Sequence, residues 1–120
     1  MEADQLGRLR DILNAAQLIT AYVSGIEFAG FAADQEKQDA VIRRIEIIGE
    51  AAGHLRLETR DAIPALNFRR MRAMRNIVAH DYANVDAQIV WEVATIHIRD
   101  LWDVLEKFFS ETADSSSSES

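Results

Sequence analysis

Residues 74–82 read Met-Arg-Asn-Ile-Val-Ala-His-Asp-Tyr. Arg75, Asn76, His80, Asp81 and Tyr82 place a guanidinium, an amide, an imidazole, a carboxylate and a phenol within this one stretch. Together these groups could serve phosphodiester chemistry. Cleaving RNA needs a base for the 2′-OH proton, an acid for the leaving oxygen and positive charge for the phosphorane. Histidine titrates near neutrality and can act as either proton carrier. Arginine is a fixed cation that grips phosphate oxygens with two donors, and the Asn76 amide can orient the phosphate or the imidazole. On an ideal helix Arg75 and His80 lie about 140° apart and flank Ala79, so both can reach a group placed over it. Asn76 and His80 are i,i+4 neighbours. One chain offers this motif a single histidine; two copies face to face would supply both base and acid. The same spacing also suits a histidine held at a helix C-terminus by the dipole, with Arg75 solvated. On spacing alone that blander reading is favoured.

Four segments must position the motif. Leu6, Leu9, Leu13, Ala16 and Val23, flanked by Ile12 and Ile19, recur at helical spacing over residues 4–24. Gly25 to Asp34 reads as a small-residue connection, with Asp34 able to cap a second helix that runs to about Leu57. Val41, Ile45, Ile48, Ala52 and Leu55 share one face of that helix. Pro64 in ETRDAIPALN disfavours a helical residue before it, and Asn67 can cap a third helix from Phe68. DYANVD is a loop whose Asp86 can cap a fourth helix to about Phe109. The acidic, serine-rich residues 111–120 are expected to be disordered. The reading is thus all-α, an antiparallel bundle of four main helices in one domain over 1–110.

Two details go beyond a minimal bundle. The fourth helix is apolar around more than half its circumference, with Trp91, Ile98, Trp102 and Phe109 along one line and Val93, Val104 and Phe108 along another. The surplus predicts a homodimer interface, with a thick core as the alternative. Gly49 and Gly53 stand four apart inside the second helix, each costing about 1 kcal/mol relative to alanine. They permit a close approach, either by another helix or by a ligand.

Charge is unevenly spread. The chain carries −7 overall, yet Arg69, Arg70, Arg72 and Arg75 fall within seven residues that contain no acid. Such a local basic patch is what a phosphate would feel; a solvated arginine face fits equally well. With no cysteine, disulfides and thiolate metal sites are excluded. Neither a leader-like start nor a run of ~20 apolar residues occurs, so a cytoplasmic protein without membrane contact is expected. Glu50 with His54, and His97 with Asp100, do not make the paired Glu and Glu-x-x-His pattern of a di-metal bundle, so no metal and no cofactor are expected. Tyr22, His54 and His97 read as packing or surface.

The succession RRIEIIGEAAGHL, a proline-containing break, and MRAMRNIVAHDYANVD resembles the HepT-like branch of the HEPN superfamily. The resemblance covers nearly the whole chain apart from the tail. It implies a helical homodimer and a metal-independent ribonuclease whose R-x4-6-H motifs meet in a cleft at the dimer interface. It implies a toxin paired with a small nucleotidyltransferase-fold antitoxin of the MNT or MntA type. By the same resemblance Arg75 and His80 match the catalytic pair, Asn76 matches the polar position after the arginine, and Tyr82 matches the tyrosine that accepts AMP from the antitoxin. Arg69 and Arg72 would add phosphate contacts. Gly49, Glu50, Gly53 and Asp81 would lie at or near the cleft. Phe68 departs from the tryptophan that many members carry before the motif helix, and a phenyl ring can do the same packing. A reading of another class stays open, a non-catalytic subunit that binds a nucleotide or docks a nucleotidyltransferase. A helical dimer with a degenerate site is the blandest one.

Overall fold

The computed structural model describes residues 1–79 and 85–119, with the backbone alone for 77–79 and 114–119. The elements in chain order are α1 (Ala3–Val23), α2 (Phe28–Ala32), α3 (Gln35–Gly53), α4 (Leu57–Ala62), α5 (Phe68–Ala79) and α6 (Ala87–Glu92). A single π-helical turn (Val93–His97) then joins α6 to α7 (Ile98–Glu119). The described residues are helix and connection, with no strand.

Local chemistry sets the helix starts. The Asp34 carboxylate accepts from the Lys37 N–H at 3.0 Å, Asn67 Oδ1 from the Arg70 N–H at 3.0 Å, and Asp86 Oδ1 from the Gln88 N–H at 2.8 Å. Each satisfies one of the donors a helix N-terminus leaves over. These are the three caps the sequence predicts. Gly25 follows α1 at φ 76°, the left-handed region that a Cβ disfavours. Ile63 is non-helical at φ −129° and ψ 72°, since Pro64 disfavours the helical region for the residue before it, and α4 ends at Ala62.

The core is continuous. Leu9, Ile12, Ala16 and Ile19 of α1 are fully buried, so Ile12 and Ile19 lie in the stripe rather than beside it. Facing them are Val41, Ile45, Ile48 and Ala52 of α3, Met71 and Met74 of α5, and Val90, Ile98, Leu101 and Leu105 from the last helical stretch. Helix α3 packs against both α1 and α5, and α7 packs against α1.

Three features differ from the sequence reading. The Gly25–Asp34 connection contains α2, whose Phe31 is buried with its ring 5.2 Å from that of Trp91. The break before Phe68 contains α4. The last helix continues past Phe109, as far as Glu119. No proline or glycine interrupts that stretch, so nothing in the backbone stops the helix that Leu105 anchors.

Candidate functional site

Helix α5 turns its residues to two environments. Met71 and Met74 enter the core. Arg70 leans toward α7, where its guanidinium lies 3.8 Å from the Asp100 carboxylate. Arg69, Arg72, Arg75 and Asn76 instead line a groove of about 760 Å³. The helical period does this sorting, placing 71 and 74 on one side and 69, 72 and 76 on the other.

Gly49 sets how deeply Arg75 sits. A Cβ built on Gly49 would fall 2.9 Å from Arg75 Cβ and 3.2 Å from both its backbone N and Cα. No flexible group could yield there, so the missing side chain is what lets α5 cross α3 at this point. One turn further along α3, a Cβ on Gly53 would meet Arg75 Nη1 at an ordinary 3.7 Å. The arginine stem therefore runs along the surface of α3 from Gly49 toward Gly53. Helix packing explains the first glycine; the second belongs to the groove wall.

Sequence reasoning missed one contributor. Arg60 of α4 also lines the groove, its guanidinium carbon 4.0 Å from the centre of the Phe68 ring. Arg72 approaches the same ring from 6.0 Å. Such placement of a cation over a ring is attractive and orients the guanidinium plane. The only available signal was an arginine a few residues before the proline break.

Among the described residues the groove wall thus holds four arginines and no carboxylate, in a chain of net charge −7. Among the described residues the ion pairs leave these four arginines out. Mutual repulsion of such cations opposes folding, and the field they make draws anions. Glu50 is exposed and is not part of the wall. His80, Asp81 and Tyr82 lie outside the described residues. His54 is exposed, and His97 is half-buried in the π turn. Among the described residues no group of three potential metal ligands gathers. No described helix is long and apolar enough to cross a membrane.

The family model for ribonuclease HepT-like proteins matches residues 12–108, which include α3, α5 and the groove between them. The chain belongs to the ribonuclease HepT-like family. It is 35% identical over 99 residues to a Thermococcus cleftensis protein named "Probable ribonuclease HepT", covering 82% of this chain and 90% of that one. A "Putative RNase" of Methanocaldococcus jannaschii is 32% identical over 71% of this chain and 78% of its own length. Another "Putative RNase", from Caldanaerobacter subterraneus subsp. tengcongensis, is 32% identical over 78% and 83%. No solved structure matches the chain. Residues 12–108 also include Arg75, the residue that Gly49 admits to the groove.

Proposed function

We propose that this chain is an endoribonuclease that cleaves RNA without a metal ion and works as a homodimer. The observation that carries the reading is Arg75, seated against Gly49 in a groove whose described residues carry four cations and no acid, within a chain of the HepT-like family. Arg75 holds the scissile phosphate and neutralises the charge that grows on the phosphorane. One His80 takes the proton from the 2′-OH, whose oxygen attacks the adjacent phosphorus. The other His80, from the second copy, protonates the departing 5′-oxygen, leaving a 2′,3′-cyclic phosphate. Asn76 orients the phosphate. Every charge and proton that the step needs is met by these side chains, so the chemistry makes no demand for a cation.

Apolar residues left at the surface support the pairing of two copies. Ile89 of α6 and Ile96 of the π turn remain 45% and 53% exposed, and Phe28 is exposed nearby against Trp91. The partner in regulation is a nucleotidyltransferase antitoxin of the MNT or MntA type, which transfers AMP to Tyr82. An attached AMP puts phosphate beside the cationic groove and blocks it to RNA.

Purified His80→Ala protein tests the chemistry. It should fold as the wild type does, yet leave RNA uncut in EDTA where the wild type cuts. Tyr82→Phe protein should gain no AMP mass from the antitoxin and ATP. Wild-type protein with bare Tyr82 that binds nucleotide or the nucleotidyltransferase but cuts no RNA would shift the assignment to a non-catalytic binding subunit.

A further inference from the structure

Among the described residues, Arg60 is the one groove cation that does not come from α5. It is half-buried, and its Nε is shut off from solvent with no hydrogen-bond partner among the described residues. A buried donor left unmet costs stability. Here the cost falls on a guanidinium already held by the Phe68 ring and facing the groove together with Arg69, Arg72 and Arg75. Among the described residues no carboxylate lines this wall, so the part of the Arg60 guanidinium that faces the groove has no anionic partner there.

Spacing says which anion suits it. Phe68 and Arg75 are seven residues apart, two turns of α5, so they share a side of the helix with ~10 Å between them along the axis. That separation of the two helix positions lets Arg60 and Arg75 serve phosphates of neighbouring nucleotides on the same strand. We infer that Arg60, stacked on Phe68, forms a second phosphate subsite, which binds the phosphodiester of a nucleotide flanking the scissile bond in single-stranded RNA. Arg75 binds the phosphate that reacts; Arg60 binds one that does not. Phe68 positions the Arg60 guanidinium. The inference rests on the ribonuclease reading and adds the substrate's footprint to it.

The test uses a fluorescently labelled single-stranded RNA oligonucleotide and the full chain. Affinity is measured by anisotropy over a range of salt in the non-cleaving His80→Ala background, with and without Arg60→Gln. Glutamine keeps an extended side chain against the Phe68 ring and removes the charge. Arg60→Gln should weaken binding about tenfold. It should also flatten the plot of log affinity against log salt by about 0.7, the slope that each neutralised phosphate of a single strand contributes. Arg60→Lys retains the charge and should restore the slope, which a purely structural role for Arg60 would not predict. With His80 intact, Arg60→Gln should raise KM and leave kcat within a few-fold. If the wild type cuts RNA while folded Arg60→Gln keeps its affinity and slope, the subsite is overturned and the ribonuclease reading stands. RNA neither bound nor cut by the wild type would overturn both.

Discussion

Gln5 and Arg75 are both polar residues at helix crossings, and their surroundings are opposites. Gln5 occupies the core stripe of α1 one turn before Leu9 and is only 3% exposed. Its amide N–H groups donate to the His54 carbonyl oxygen at 3.1 Å and to Asp4 at 3.3 Å. Its carbonyl oxygen accepts from the Arg56 N–H at 2.8 Å and from the Thr59 hydroxyl at 2.7 Å. Arg56 pairs outside this knot with Glu2 and Asp4. The Gln5 amide and the Arg56 charge hold the Asp4 carboxyl below its usual range. Every polar group in the knot meets another from the same chain, and α1 is tied to the end of α3 and to α4. In the groove, arginines gather without acids among the described residues, and Arg60 has a donor that no described residue meets. A saturated polar cluster holds the fold together. One left short of partners is arranged for something that arrives from outside.

Substitutions can break that contrast. Arg75→Ala has the largest expected effect. It should lower the rate of RNA cleavage by about 10²-fold or more, the scale for removing a transition-state donor. Alanine keeps the Cβ that packs on Gly49, so the melting curve should barely move. Gly49→Ala should harm both properties, because the added methyl meets backbone and must push α5 from α3. Overpacking of this kind costs about 1–3 kcal/mol. Gly53→Ala meets only the flexible end of Arg75 and should keep stability or raise it by up to about 1 kcal/mol through helix propensity. Comparing the two alanines by thermal denaturation separates the packing glycine from the groove glycine. Gln5→Ala is the complementary case. It strands the Thr59 hydroxyl and the Arg56 N–H, a loss of about 1–3 kcal/mol. A urea midpoint should register it, while cleavage by the folded fraction stays near the wild-type rate.

The division of α5 into two faces was legible because arginine and methionine alternate at helical spacing, and a local period requires no knowledge of partners. Asp34, Asn67 and Asp86 were legible as caps for the same reason, since each bonds to an N–H two or three residues away. Gln5 was not. Its partners lie 49 to 54 residues further along, and a lone glutamine in an apolar stripe looks like a surface residue slightly out of place. Arg60 was hidden likewise, because its role comes from α4 folding back on Phe68. The π turn has no compositional mark, and it rotates α7 relative to α6. A uniform helical wheel therefore lined up Trp91 and Trp102, which are half-buried, with Ile98, which is fully buried. Composition pointed to helices; the crossing at Gly49, which decides where Arg75 sits, needed the fold.

The most direct test is cleavage of a single-stranded RNA in EDTA by wild-type, Gln5→Ala and Arg75→Ala proteins, each assayed well below its melting temperature. Wild type and Gln5→Ala should cut at similar rates, and fully folded Arg75→Ala should cut more slowly by about 10²-fold or more. A folded Arg75→Ala protein that cuts as fast as the wild type would contradict the role given to the groove.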